Sequence, residues 1–436
     1  MPSLNFKKYY LLITFLLVLT GSIIALSYLP RQNEFSEIIA FYTLAFLSYV
    51  GILKFCKNDI SLKKWLLIAV GLRVTLLFSF PNLSDDIYRF IWDGNIIHEF
   101  QNPYSLLPTE VKNVAGNDET LLGLLNSPSY YTVYPPFSQF VYWLASFGDI
   151  SYTWSAFIIK LCLLLAEIGS LIFLIRILKL LKLDASRFLI YALNPLMLIE
   201  IMGNVHFEGI MLFFLLSSVY YIIKKQNVVG GFLLAMGTAT KLLPLMFFPL
   251  LWKFAKYNKK LFASLAISGI ILFLPILFGI ELTNFFTSID LYFGKFEFNG
   301  GIYYFVRYVG DLIFGYNLIR YIGPLFGLIT LGIIFRLWNR QASNDPQQLL
   351  LYSFASITSY YLLSTTVHPW YLCLPLALSL FTSYRFVILW TGLIMLSYLH
   401  YSFDPFYENL WIPFIEYGLV FGYLCYEWKT KKVIPN

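Results

Sequence analysis

Apolar residues arrive along this chain in long blocks, without the apolar/polar alternation of half-buried strands. Blocks lie near 9–29, 36–56, 63–81, 155–178, 187–203, 208–223, 228–240, 242–252, 261–280, 317–338, 348–365, 370–383, 386–401 and 410–428. Several reach the roughly 20 residues that a helix needs to cross a bilayer core. Backbone facing lipid must satisfy its own hydrogen bonds, so each block is expected to be helical. Strands of a membrane barrel would alternate polar and apolar residues, and these runs do not. The pattern predicts an all-α membrane protein, a multi-span helical bundle of about 12–14 spans, forming one domain over 1–436. Gly237 to Pro244, with Thr238, Thr240 and Lys241 between them, interrupts one block and predicts a re-entrant break.

Two polar segments interrupt the blocks, 81–153 and 281–316. The first is too long for an idle connection. Within it Pro135-Pro136 precede an aromatic stretch, Phe137 to Phe147, expected to be a short interfacial helix. The second contains Asp290, Lys295, Glu297, Asn299-Gly300-Gly301 and Tyr303-Tyr304 and is expected to cover the same site.

Composition agrees with the blocks: 58% hydrophobic and 13% charged residues exclude an ordinary soluble domain, which is about 25% charged. The net charge of +7 would suggest nucleic acid if the cations shared one polar face. Instead they cluster between spans, as Lys7/Lys8, Lys54/Lys57/Lys63/Lys64, Arg176/Lys179/Lys182/Arg187, Lys224/Lys225, Lys253/Lys256/Lys259/Lys260, Arg336/Arg340, Arg385 and Lys429/Lys431/Lys432. Only Asp59, Asp184, Asp345 and Glu427 join them. The positive-inside rule then places both termini in the cytoplasm and both polar segments outside. Residue usage rich in Ile, Lys and Phe suggests a low-GC bacterium, and the expected location is a bacterial inner membrane. The apolar run from Tyr9 to Leu29 exceeds the about 7–15 residues of a signal-peptide core and is read as a retained span. Cys56, Cys162, Cys373 and Cys425 have neither disulfide nor zinc spacing.

Candidate chemistry gathers in the first polar segment. Ser84-Asp85-Asp86-Ile87-Tyr88-Arg89-Phe90-Ile91-Trp92-Asp93-Gly94 is followed by Asn102-Pro103-Tyr104. Asp85 or Asp86 can act as general base on a sugar hydroxyl. Arg89 can position a phosphate or hold an Asp ionised, while Tyr88, Trp92 and Tyr104 can stack on a sugar ring. The competing structural explanation is that Asp85 and Asp86 cap a short helix, beside an ordinary aromatic belt.

These residues, together with Tyr134-Pro135-Pro136, resemble the first external loop of GT-C glycosyltransferases, in particular bacterial polyprenyl-phosphate mannosyltransferases and, distantly, GPI mannosyltransferase I. The resemblance continues in order through Asn194-Pro195, Asn204-Val205-His206-Phe207-Glu208-Gly209, Lys241-Leu242-Leu243-Pro244 and His368-Pro369-Trp370-Tyr371-Leu372. It implies a bundle of GT-C type and an inverting transferase moving a hexose, mannose first among candidates, from a polyprenyl phosphate to a glycan or glycolipid acceptor. An acid of the first external loop would be the base, a role falling on Asp85 or Asp86. That loop follows the first span in many relatives and the third here, which preserves its sidedness.

Further candidates to meet substrate are Asp93, Asn102, Tyr134, His206, Glu208, Lys241, His368, Trp370 and Tyr371. Lys241 near membrane depth requires a partner, either a lipid phosphate or a protein acid or carbonyl. Arg73 and Glu167, both inside spans, are expected to pair with each other. The sequence leaves a divalent ion at Asp85/Asp86 open. The rival function is a lipid-linked substrate transporter or flippase, which broken helices and membrane-depth charge also suit; another GT-C sugar donor is a further alternative.

Overall fold

The computed structural model describes residues 3–56, 61–111, 114–147, 151–277 and 280–430. Of the charge map, Lys57, Asp59, Lys431, Lys432 and the side chain of Lys7 lie outside the described residues. The described chain is an all-α membrane bundle, with no strand beyond an isolated bridge between Phe298 and Thr366. The first polar segment carries α4 (Asp86–His98), α5 (Glu119–Leu124) and α6 (Pro136–Ala145), after α1 (Ser3–Tyr28), α2 (Phe35–Phe55) and α3 (Leu62–Val74). Then come α7 (Tyr152–Leu180), α8 (Leu189–Ala192), α9 (Pro195–Met197), α10 (Glu208–Ile223), α11 (Asn227–Thr240), α12 (Phe248–Phe254), α13 (Lys259–Leu277) and α14 (Ile280–Gly294). The remainder is α15 (Gly301–Phe314), α16 (Ile319–Arg340), α17 (Pro346–Leu363), α18 (Cys373–Ser379), α19 (Phe386–Leu393) and α20 (Trp411–Thr430).

Among the described residues, five helices are long and apolar enough to cross a membrane: α2, α7, α13, α16 and Lys8–Tyr28 of α1. Ala185–Ala192 and Pro195–Gly203 make a sixth if joined, bent by 56°. Other apolar blocks become shorter helices, among them Glu208–Ile223, Asn227–Thr240, Leu243–Phe254, Pro369–Ser379 and Phe386–Ser402. The block at 63–81 is helical only to Val74. Beyond it the buried Lys160 of α7 donates to the Leu76 and Ser79 carbonyls at 3.0 and 2.7 Å and to Ser79 Oγ at 2.6 Å. An ammonium thus satisfies carbonyls that a continued helix would have bonded. The break expected between Gly237 and Pro244 is present: Lys241 is extended (φ −149°, ψ 141°) at the end of α11, and a 3-10 turn, Leu243–Phe247, follows.

The bent segment is the axis of the bundle. Every residue from 188 to 212 is buried. Asn194 accepts from the Leu196 amide at 3.0 Å and donates to Thr391 Oγ1 at 3.0 Å, so the bend is tied to a neighbouring helix. Pro195 starts α9, where its missing N–H costs no bond. Arg73 and Glu167 pair as expected, at 2.8 Å and fully buried, and Tyr191 donates to the second Glu167 oxygen at 2.7 Å. Removing either partner of such a pair costs about 3–5 kcal/mol.

Candidate functional site

The site is assembled from four stretches of chain around the end of the buried axis. The first is the opening turn of α4. Asp85 occupies its N-cap position but makes no capping bond through its side chain, and it is exposed. The capping explanation therefore lacks its hydrogen bond. Partial burial of the carboxyl, and then the neighbouring Asp86, raise the Asp85 pKa above the ordinary value. Asp86 points inward, with a side chain 19% exposed. Its Oδ1 accepts from Asn126 at 2.7 Å, and its Oδ2 lies 3.9 Å from His206 Nδ1.

The second stretch is Leu198–Gly203, wound as a π-helix, with the turn that follows it. Such windings are rare and often mark functional sites. Glu200 on it is completely buried. It accepts from Tyr398 Oη at 2.8 Å and Asn204 Nδ2 at 3.1 Å, and its Oε2 lies 3.2 Å from His206 Nε2. Val205, next to His206, has φ +59°, a left-handed conformation costly for a β-branched residue. The His206 amide is nonetheless bonded back to the Glu200 carbonyl at 3.2 Å.

The third stretch is Pro369–Leu372 and the residues before it. Trp370 stacks on His206, centroids 3.6 Å apart, and on its other side on His368, at 4.4 Å. Phe298, from the second polar segment, extends the pile against His368 at 4.6 Å. Phe298 is held there by backbone bonds to Thr365 and Val367. Burial first, and then the neighbouring His206 and Lys241, lower the His368 pKa to about 3. His368 is accordingly neutral near pH 7 and offers a hydrogen bond, not a cation; its Nδ1 is buried without a partner.

The fourth stretch is the break after α11. Lys241 pairs with Glu208, the first residue of α10, and stands 5.9 Å from the centre of the Tyr371 ring. The requirement for a partner at this depth is met by a protein acid. The Lys241 side chain remains 24% exposed, while Glu208 Oε2 has no partner.

Other candidates are committed elsewhere. Arg89 is buried, with Nε 2.8 Å from Asp93 Oδ1 and its Nη1 donating to the carbonyls of Ser127 and Tyr130, both at 2.9 Å. Its partners are Asp93 and the 127–130 carbonyls, so it does not present its fork to a phosphate. Asp93 also accepts from Gln139 at 2.9 Å. Trp92 and Tyr104 are each 1% exposed, too enclosed to stack on a sugar. Tyr104 donates to the Tyr134 carbonyl at 2.7 Å, and Asn102 donates to the Pro275 carbonyl at 2.8 Å. Tyr134 packs edge-on against Phe90 and Tyr142. Tyr88 packs between Phe80 and Tyr152. Among the described residues no group of three or more His, Cys, Asp and Glu is placed to hold a metal ion.

Sequence reasoning missed Glu200, Tyr398 and Phe298. For Glu200 a signal existed: an acid inside an apolar span, suspect by default. Chemically, the assembled groups offer an inward carboxylate with a histidine behind it, an aromatic pile, and a partly exposed cation.

A family model described as "Alpha-(1->6)-mannopyranosyltransferase, N-terminal domain" matches residues 20–255. Alpha-(1->6)-mannopyranosyltransferase A of Mycobacterium tuberculosis (strain ATCC 25618 / H37Rv) is 26% identical over 168 residues, 38% of this chain. The matched stretch spans 32% of that relative's length.

Proposed function

The chain belongs to the alpha-(1->6)-mannopyranosyltransferase family, and on that premise we propose that it is a membrane mannosyltransferase of GT-C type acting on a polyprenyl-phosphate donor. The observation that carries this reading is the convergence of Asp86, His206, Trp370, His368 and Lys241 from separate stretches of chain. The acceptor, a glycan or glycolipid, is bound at the outer face of a bacterial inner membrane, with both chain termini in the cytoplasm, as the charge map favours.

Asp86, not Asp85, is the general base. It points toward the converged groups, held by the hydrogen bond from Asn126, with His206 Nδ1 3.9 Å away. It takes the proton of the acceptor hydroxyl as that oxygen attacks the anomeric carbon. The bond from that carbon to the phosphate oxygen breaks, and its electron pair leaves with the lipid phosphate. Attack opposite the leaving group inverts the centre, so the α-linked product named for the relative calls for a β-linked donor. Lys241, steadied by Glu208, faces the charge developing on the phosphate. His368 adds a neutral hydrogen bond. Trp370, covered on its two faces by His206 and His368, fixes those rings, and Tyr371 supplies an aromatic face for the sugar.

The test presents radiolabelled β-mannosyl phosphoryl polyprenol and membrane-derived acceptors to the purified chain in lipid nanodiscs. Wild-type protein and Asp85→Asn should transfer mannose, and Asp86→Asn should not. Wild-type-like transfer by Asp86→Asn would remove the base. Uptake of lipid-linked sugar into proteoliposomes without transfer would favour a transporter.

A further inference from the structure

Glu200 is a fully buried carboxylate at the centre of a membrane bundle, on a π-helical turn. Burial of an ionised acid is expensive unless its oxygens are bonded, and both oxygens here are engaged: Oε1 by Tyr398, Oε2 by Asn204 and the near approach of His206. The connection to His206 runs through a left-handed Val205, a conformation kept only where its surroundings over-determine it. The outcome of this local cost is one arrangement. His206 stands between two carboxylates, Nε2 3.2 Å from Glu200 and Nδ1 3.9 Å from Asp86, its ring plane fixed by Trp370 at 3.6 Å.

We propose that Glu200 and His206 are positioning residues for Asp86, forming an acid–imidazole–acid line that orients the base and receives the proton it takes from the acceptor. The inference rests on the transferase reading above and deepens it. His206 Nε2 is buried, 3.2 Å from Glu200 Oε2 and without an aligned hydrogen bond. In the proposed line a small turn of the ring gives its N–H to Glu200, which fixes the tautomer and leaves the Nδ1 lone pair toward Asp86. When Asp86 takes the acceptor proton, its new O–H closes on Nδ1. The proton then passes to the imidazole, Asp86 returns to the carboxylate, and the imidazolium lies between two negative charges. No atom or electron is left unaccounted for: the acceptor oxygen has gained the anomeric carbon, the phosphate has the electron pair, and the imidazole has the proton. The titratable groups around this line are Asp85, Tyr142 and Tyr401 near Asp86, and Tyr42 and Tyr401 near Glu200, besides those bonded or stacked on it. Tyr398 and Asn204 meet Glu200, Asn126 meets Asp86, and Trp370 covers the ring of His206, with His368 beyond it and Lys241 acting on His368.

A purely structural role for Glu200 and the relay role predict different pH behaviour. Glu200→Gln keeps the shape and removes the charge. Transfer should fall in kcat by roughly tenfold to a hundredfold, part of what a general base contributes, with KM nearly unchanged. The acid limb of the pH–rate profile should move to lower pH, because a negative charge that strengthens the base is gone. Tyr398→Phe takes one hydrogen bond from Glu200 and leaves its charge, so its acid limb should move the other way. Glu200→Asp should recover part of the rate lost in Glu200→Gln. An acid limb fixed in both variants would overturn the proposal, even where kcat falls. Should Glu200→Gln fail to fold, Tyr398→Phe decides alone: an upward shift supports the line and an unmoved limb contradicts it. Wild-type protein that transfers no mannose removes the underlying reading together with the inference, whereas active wild type with unmoved variants removes the inference alone.

Discussion

The first turn of α4 and its second and third turns come from one uninterrupted polar motif, yet they have separate fates. At the first turn Asp86 faces His206 and stays partly accessible. One and two turns on, Arg89 and Asp93 are buried and bonded to each other, to Gln139 and to the 127–130 carbonyls. The rise of 1.5 Å per residue places Asp93 about 10 Å further along the axis, where the loop folds back on the helix. The difference teaches that this motif holds both a reacting group and the scaffold that presents it. Residue type alone does not separate them.

The largest expected effect belongs to the scaffold. Arg89→Ala or Asp93→Ala leaves one buried charge unpaired and should destabilise the protein by about 3–5 kcal/mol, read as thermal unfolding in detergent. Activity should be lost in step with folded protein. The joint replacement Arg89→Met/Asp93→Leu should recover much of that stability. Unchanged unfolding in the single variants would erase the contrast between the turns. Next comes the phosphate end of the site. Lys241→Met, made with Glu208→Gln so that no acid is stranded, should lower transfer by about a hundredfold while the protein remains folded. A smaller loss, on the order of tenfold in kcat/KM, is expected for Trp370→Ala, since an aromatic stacking contact contributes about 0.5–1.5 kcal/mol beyond its area.

The smallest effect should come from Asp85→Asn, with transfer within about threefold of wild type, which is about 0.6 kcal/mol. Its signature is in stability. The raised Asp85 pKa means that folding favours the protonated carboxyl. That contribution is complete below the unfolded value of about 3.9 and is lost as pH rises through the folded value. The melting temperature of Asp85→Asn relative to wild type should therefore increase from pH 3 to pH 7. A difference independent of pH would contradict it.

Much of this arrangement was legible before any coordinates. The block pattern predicts the helical bundle, and the polar interruption from Gly237 to Pro244 predicts the break that exposes Lys241. Asp86, His206, Glu208, Lys241, His368 and Trp370 can be named from sequence, and the fold brings them together. Arg89, Asp93, Asn102 and Tyr104 were equally conspicuous, but whether a polar atom meets a ligand or its own loop depends on chain folding 30 to 180 residues away. Phe298 is one aromatic residue among 42 phenylalanines, and only the strand-like pairing with Thr366 brings it to His368. Glu200 and Lys160 were hidden inside apolar runs, where long hydrophobic context masks a single charge.

Chemical rescue tests the division within α4 most directly. Asp86→Ala removes the base and leaves space for a small carboxylate, so added formate should restore a measurable part of mannose transfer in a concentration-dependent way. Asp93→Ala, impaired through its fold, should gain nothing from formate. Asp86→Ala that transfers mannose at the wild-type rate without formate would contradict the account.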